Sequence, residues 1–162
     1  MARDMIVVGM ADLKATKAPG ILTTLGLGSC VGIALYDAHS KVAGLAHIML
    51  PDSTAIQNNS NKAKFADTAV VTLISEMEKL GAKKTFMKAK IAGGAQMFAF
   101  NATNENLRVG DRNVDATKLA LAKLGIPLIS SETGASFGRT VELYADGGKF
   151  LIKAIGQGFR EI

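Results

Sequence analysis

One residue type occurs once in this 162-residue chain, and it is the most reactive one. Cys30 lies in Leu25-Gly26-Leu27-Gly28-Ser29-Cys30-Val31-Gly32, and His47, one of two histidines, follows on the next apolar run. A thiol beside an imidazole is the minimum equipment for nucleophilic catalysis. A free thiol is only a few per cent thiolate at neutral pH, and a neighbouring imidazole that takes its proton makes it an attacking group. Gly26 and Gly28 leave the backbone before the cysteine unobstructed, so the N–H groups of Ser29 and Cys30 are candidates to hold a developing oxyanion in the turn formed by Gly28 and Ser29. Each residue alone also has a bland reading. A lone cysteine in an apolar strand is commonly inert core, and a lone histidine is commonly a hydrogen-bonded structural residue.

Whether the two meet is a question of parity. The segments 30–36 and 41–50 read as strands around the polar link Asp37-Ala38-His39-Ser40. If 37–40 is the loop, or 38–39 alone, Cys30 faces His47, and facing residues of an antiparallel pair have Cβ atoms ~5 Å apart. A three-residue loop would send them to opposite sides of the sheet. Asp37 and Ser40 are good turn formers, which favours the even loop. Gly32, Ala34, Ala43 and Leu45 then share the Cys/His face and leave room beside the thiol. Val31, Ile33, Leu35, Val42 and Ile48 form the opposite, core-like face. The imidazole needs an orienting partner. Thr23 and Thr24 on the preceding strand are candidates, with Asp37 and Asp52 as rivals.

The remaining elements follow from periodicity. A strand is expected over 21–25, and Pro51 ends the second apolar run before a polar loop, 52–61. Phe65, Ala69, Val70, Leu73, Ile74, Met77 and Leu80 recur at helical spacing and predict a helix over 62–80, stopped by Gly81. A strand over 84–92, a helix over 112–124 and a strand over 126–130 follow. A hairpin of 139–145 and 149–155 turns at Asp146-Gly147-Gly148. No motif is legible in 155–162. The order predicts an α+β fold with mixed, largely antiparallel sheets and helices packed outside, in one domain spanning 1–162.

Composition narrows the function. The chain is 48% hydrophobic and carries a net charge of +5, with lysines gathered at 79–90. That charge reads as a solvated surface, and with no Trp and two Tyr there is no stacking platform for nucleic acid. No apolar run is long enough for a membrane helix or a secretory signal, so a cytoplasmic protein is expected without membrane insertion. One cysteine gives neither a disulfide nor a zinc set, so no metal is expected. A cysteine phosphatase is excluded, because Tyr36 stands where its arginine would be. Gly93-Gly94-Ala95-Gln96-Met97-Phe98 has neither the P-loop nor the dinucleotide pattern, and reads as a turn where segments pack closely. Gly26, Gly93, Gly94 and Arg139 are carried as substrate or partner contacts, Arg139 from the loop Gly134-Ala135-Ser136-Phe137-Gly138.

The sequence resembles the CheD family of chemoreceptor glutamine deamidases. The match is carried by Thr24–Val31 and by Gly44-Leu45-Ala46-His47-Ile48-Met49-Leu50-Pro51. It continues through Phe65-Ala66-Asp67, Lys90–Phe98, Gly110-Asp111-Arg112-Asn113, Gly125-Ile126-Pro127-Leu128 and Gly134–Arg139. Ala135 departs from the glycine often found there. The resemblance implies catalytic Cys30, His47 and Thr24, no cofactor, and a fold like the deamidating domain of cytotoxic necrotising toxins. It also implies glutamine side chains of chemoreceptor cytoplasmic helices as substrate, and a CheC-type phosphatase as a second partner. Two other readings remain open from the residues. One is a non-catalytic adaptor for receptor or phosphatase, and the other a different cysteine hydrolase, such as a transglutaminase-like enzyme or a peptidase.

Overall fold

The computed structural model describes residues 4–96 and 108–162. Met97 and Phe98 of the glycine-rich segment, and residues 1–3, lie outside the described residues. Ten strands run in chain order: β1 (Met5–Val7), β2 (Asp12–Lys17), β3 (Ile21–Leu27), β4 (Val31–Asp37), β5 (Val42–Ile48), β6 (Met87–Gly93), β7 (Leu128–Thr133), β8 (Arg139–Tyr144), β9 (Phe150–Ala154) and β10 (Gly158–Glu161). Helix α1 (Ala66–Glu78) precedes β6, and α2 (Val109–Lys123) precedes β7. The strands form two five-stranded sheets, ordered β1-β3-β8-β9-β10 and β2-β5-β4-β6-β7. Only the β1–β3 and β6–β7 pairs are parallel. The fold is therefore α+β, with mixed, largely antiparallel sheets.

Three layers result, and the two faces of the second sheet explain them. Val31, Ile33, Leu35, Val42 and Ile48 pack with Ala69, Val70, Leu73, Met77 and Leu121 of the helices. Ala34, Ala43, Leu45 and Ala92 turn the other way, against Leu22, Val141, Leu143, Phe150 and Ile152 of the first sheet. Alanine at the inter-sheet positions lets the sheets approach closely, while bulkier residues meet the helices. Cys30 belongs to the inter-sheet cluster.

The hairpin of β4 and β5 has an even loop, but not the expected one. Asp37 remains in the strand, paired with Val42, and the turn is 38–41. Its carboxylate accepts from the backbone N–H groups of His39 (2.9 Å), Ser40 (3.3 Å) and Lys83 (2.9 Å). Burial pushes the Asp37 carboxyl up, and these donors outweigh it, holding it below its ordinary value. Lys41 closes the turn with φ 54°. The register is thus two residues from the expected one: Tyr36 faces Ala43 and Gly32 faces His47. The faces are unchanged, because a shift of two preserves parity.

Other boundaries moved for local reasons. Phe65 is extended and forms a bridge with Leu50, so α1 begins after it and not at 62. A 3-10 turn, Lys84–Phe86, occupies the start of the strand expected from 84. Helix α2 begins at Val109, before the expected 112. Among the lysines of 79–90, Lys90 is not solvated: its ammonium donates to the carbonyls of Gly148 (3.2 Å) and Ile162 (2.7 Å).

Candidate active site

His47 is fixed from every side. Its strand neighbours are Gly32 on β4 and Asp12 on β2, and its carbonyl accepts from Ala11 N–H at 2.9 Å. The residue is wholly buried. Its Nδ1 lies 2.7 Å from Thr24 Oγ1, across the gap between the sheets. That hydroxyl also reaches the carbonyl of Val8, at 2.7 Å. A carbonyl can only accept, so the single hydroxyl proton goes to Val8. Thr24 must then accept from His47, which places the imidazole proton on Nδ1. Nε2 is left with its lone pair bare, and it has no hydrogen-bond partner among the described residues. Burial pulls the His47 pKa below its ordinary value, so the ring is neutral and Nε2 is a base.

The four candidate orienters are now separated. Thr23 donates to the Val141 carbonyl at 2.8 Å. Asp37 caps the hairpin turn, and Asp52 accepts from Thr54 at the start of a 3-10 turn. Only Thr24 reaches the imidazole. The other histidine, His39, stacks on Phe86 with ring centroids 4.0 Å apart, on the hairpin turn.

Cys30 sits in a bend one residue before β4, not opposite His47. It precedes by two the residue that faces His47, and among the described residues no hydrogen bond joins the thiol to Nε2. Burial pushes the thiol pKa up, and the Cys30 N–H pulls partly against it. The resting pair is therefore a neutral thiol and a neutral imidazole, not a preformed ion pair. Around the cysteine, Gly28 N–H is taken by the Gly26 carbonyl at 3.0 Å. The N–H groups of Ser29 and Cys30 have no backbone acceptor among the described residues, which keeps them as candidate donors for an oxyanion.

Three expected contact residues turn out to lie behind the site. Gly93 has φ 109°, and a Cβ there would run into the Cys30 carbonyl oxygen. Gly94 donates to that same carbonyl at 2.8 Å and is buried. Arg139 is only 1% exposed. Its guanidinium pairs with Glu132 and donates to the carbonyls of Gly134 (3.0 Å) and Gly93 (3.4 Å), under the ring of Phe137. These residues support the cysteine loop from within and do not face a partner. Gly26 does face outward, at φ 71° in a bulge between Thr24 and Leu27, with Leu25 beside it 62% exposed.

Two contributors have no signature in residue type. The Val8 carbonyl is one, because a backbone acceptor leaves no mark on a sequence. Asn113 on α2 is the other: its amide donates to the Ser29 and Met49 carbonyls. A groove of about 510 Å³, lined by Pro51, Val71, Leu119 and Lys123, runs between the helices and contains neither Cys30 nor His47. No group of three or more metal-ligating side chains occurs among the described residues, and none of their helices is long and apolar enough to cross a membrane.

Comparison with known proteins shows the family to which the chain belongs. The chain is 55% identical over 162 residues to the probable chemoreceptor glutamine deamidase CheD of Caldanaerobacter subterraneus subsp. tengcongensis, covering all of both chains. It is 54% identical to the namesake from Lachnoclostridium phytofermentans, covering 98% of this chain and 99% of that one. It is 49% identical to the chemoreceptor glutamine deamidase CheD of Halalkalibacterium halodurans, with the same coverage. Among solved structures, the Bacillus licheniformis hypothetical protein YfiH superposes with a TM-score of 0.49 at 14% identity, over 77% of this chain and 51% of that one. The family model described as CheD chemotactic sensory transduction matches residues 49–154, beginning just past His47. For the segment that carries Cys30 and His47, membership rests on the full-length relatives, and together these matches place the chain in the CheD family.

Proposed function

We propose that the chain is a single-domain protein-glutamine deamidase. Its substrate is a glutamine carboxamide on chemoreceptor cytoplasmic helices, and its catalytic residues are Cys30, His47 and Thr24. The observation that carries the reading is the Val8–Thr24–His47 chain of hydrogen bonds, which fixes the tautomer with an unpartnered basic Nε2 on the face that also bears the thiol.

The mechanism follows from the protonation states. Nε2 takes the thiol proton as Cys30 Sγ attacks the carboxamide carbon, so charge develops only as the S–C bond forms. The oxyanion is held by the N–H groups of Ser29 and Cys30. Each such donor is worth roughly 3 kcal/mol at the transition state. The imidazolium, stabilised through Nδ1–H to Thr24, returns its proton to the leaving nitrogen, and ammonia departs as the C–N bond breaks. The γ-glutamyl thioester on Cys30 remains. His47 Nε2 then removes a proton from water, hydroxide adds to the thioester carbon, and glutamate leaves with the thiol restored. Carboxamide and water give carboxylic acid and ammonia, so no cofactor enters.

The rest of the reading comes from the family resemblance. It includes a cytoplasmic location, a CheC-type phosphatase as second partner, and kinship with the toxin deamidase domain. The experiment is incubation with a receptor cytoplasmic fragment, followed by peptide mass spectrometry for amide-to-acid conversion. Wild type converts specific glutamines, and Cys30→Ala does not. Equal conversion by both would overturn the reading. Unchanged receptor binding and swimming behaviour with Cys30→Ala would favour a non-catalytic adaptor instead.

A further inference from the structure

We propose that Asn113 is a positioning residue for the thiol and the imidazole, a clamp that sets the separation of Cys30 from His47. The inference rests on the deamidase reading above. Asn113 is wholly buried in the first half of α2. Its Nδ2 donates one proton to the carbonyl of Ser29 and the other to that of Met49, each at 2.9 Å. Ser29 immediately precedes the nucleophile, and Met49 lies two residues past the base. A single amide thus ties the chain entering β4 to the chain leaving β5, at the end of the sheet where both reactive groups sit.

The two carbonyls fix the amide's orientation, because they can only accept and so require the NH2 end. The other end gives the argument its force. Asn113 Oδ1 is buried with no hydrogen-bond partner among the described residues. An unsatisfied buried acceptor is costly, and asparagine is a poorer helix former than alanine or leucine. Against that cost stand the two carbonyls the amide satisfies, both at the strand ends beside the thiol and the imidazole. What the amide supplies and an apolar side chain cannot is a two-pronged donor of fixed span. Among the described residues the thiol has no hydrogen bond to another side chain, so its position relative to Nε2 depends on the backbone on each side of it. Gly94 and Ala95, just past β6, hold that backbone through the Cys30 and Gly28 carbonyls, and among the described residues neither N–H bonds to the strand of His47. Asn113 spans both.

The test compares wild type, Asn113→Ala, Asn113→Asp and Asn113→Gln, with Cys30→Ala alongside, on a receptor cytoplasmic fragment. The readouts are kcat, KM, the pH profile of kcat, the pH dependence of Cys30 alkylation by iodoacetamide, and the melting temperature. A misplacement of the order of 1 Å costs about 100-fold in rate. The expected result is that kcat falls about 100-fold in the Ala and Asp variants, with KM within threefold and an altered pH profile. Gln keeps both donors on a longer arm and recovers part of the loss. The clamp is overturned if an amide-free variant that folds keeps kcat and its pH profile within threefold of wild type. It is also overturned if KM rises while kcat holds, which would make Asn113 a substrate contact. Loss of folding in both amide-free variants would equally overturn it, assigning the amide to stability alone. Failure of the deamidase reading looks different: there, Cys30→Ala still converts glutamine.

Discussion

The two reactive groups are held in opposite ways. His47 lies in mid-strand, paired on both sides, and its ring is gripped by a side chain from the other sheet. Cys30 lies in a bend before a strand, and it is held through its main chain: Gly94 N–H on its carbonyl, Ala95 N–H on that of Gly28, and the Asn113 side-chain amide on that of Ser29. The proposed base is thus tuned by a bond to its side chain, and the proposed nucleophile is placed through bonds to its main chain. The difference suits the roles. A base needs a defined tautomer, which only a specific donor–acceptor chain can impose. A nucleophile must move toward carbon and form a bond, so a side-chain partner on sulfur would have to be broken first. Damage at the histidine end should therefore read out as altered proton affinity, and damage at the cysteine end as altered geometry.

The largest effect expected at the histidine end is removal of the base. His47→Gln keeps a group able to bond Thr24 but loses the basic Nε2. General acid–base catalysis contributes about 10²- to 10⁴-fold. We expect kcat to fall about 1,000-fold with little change in KM, measured as ammonia release. A loss under tenfold would mean that the thiol is activated without His47.

At the cysteine end, the sharpest perturbation is Gly93→Ala. The residue has φ 109°, and its new Cβ would meet the rigid backbone of Cys30, so the nucleophile must shift. About 100-fold loss of kcat is expected, together with a lower melting temperature. Gly44→Ala is the matched control on the helical face of the same sheet. There a Cβ lies 2.7 Å from Met77 Sδ and 2.8 Å from Leu73 Cδ1, which are flexible side chains. Overpacking of this kind costs about 1–3 kcal/mol of stability, and kcat should stay within threefold. If both variants lose activity in proportion to stability, the cysteine loop has no special positional role.

Smaller effects follow from loosening the tautomer. Thr24→Val keeps the shape and removes both hydrogen bonds, orphaning Nδ1–H and the Val8 carbonyl. By analogy with outer partners of metal-bound histidines, the loss should be about 10- to 100-fold in kcat. Thr24→Ser keeps the hydroxyl and should return to within threefold of wild type. A valine variant as active as the serine one would show that packing alone orients the ring.

The same contrast governs what the sequence made legible. Cys30, His47 and Thr24 are side chains of distinctive type on short apolar runs, and pattern plus resemblance found them. The sheet faces were also readable, since they depend on parity alone. The register was not, because Lys41 reads as the first residue of the second strand; it closes the turn at φ 54°, while Asp37 stays in the strand and caps the turn through its carboxylate. Strands β1, β2 and β10 were missed for a different reason. β2 reads Asp12-Leu13-Lys14-Ala15-Thr16-Lys17, a polar edge strand that owes its form to pairing with β5, and every residue of β10 is exposed. The supports of the cysteine were least legible. Gly93-Gly94 reads as a turn where segments pack closely, and it is one, but nothing local says that the segment met is that of Cys30; Arg139 looks like a loop cation until Glu132 is seen beside it, and Asn113 looks like any polar helix residue. Each acts on main chain distant in sequence, and no local pattern encodes that.

The gentlest probe is pH, because the two ends titrate in opposite directions without any substitution. Burial holds the His47 pKa below its ordinary 6.5 and the Cys30 pKa above its ordinary 9.0. Below pH 6.5 the unfolded chain takes up a proton on His47 that the folded protein refuses, so stability falls as pH drops from 6.5 through the folded pKa. Above pH 9.0 the unfolded chain releases the thiol proton while the folded protein retains it, so stability falls again as pH rises through the folded pKa. Between these limits neither group contributes a slope. Asp37, held low by its N–H donors, adds an acid-side loss only below its ordinary 3.8. The contribution of His47 and Cys30 is therefore flat from about pH 6.5 to 9.0 and declines on either side, with Lys90, whose pKa burial pulls below 10.5, working against the alkaline decline. His47→Gln removes the histidine's share of the acid-side decline between 6.5 and the carboxylate range, and Cys30→Ala removes the thiol's share of the alkaline one. Activity should track the histidine: the acid limb of kcat/KM lies below 6.5, because the free enzyme must keep Nε2 unprotonated to accept the thiol proton. An acid limb above 6.5 would instead mean that His47 gains its proton more easily than a solvated imidazole. That is the behaviour of a preformed thiolate–imidazolium pair, and it would replace the neutral resting state drawn from the burial of both groups.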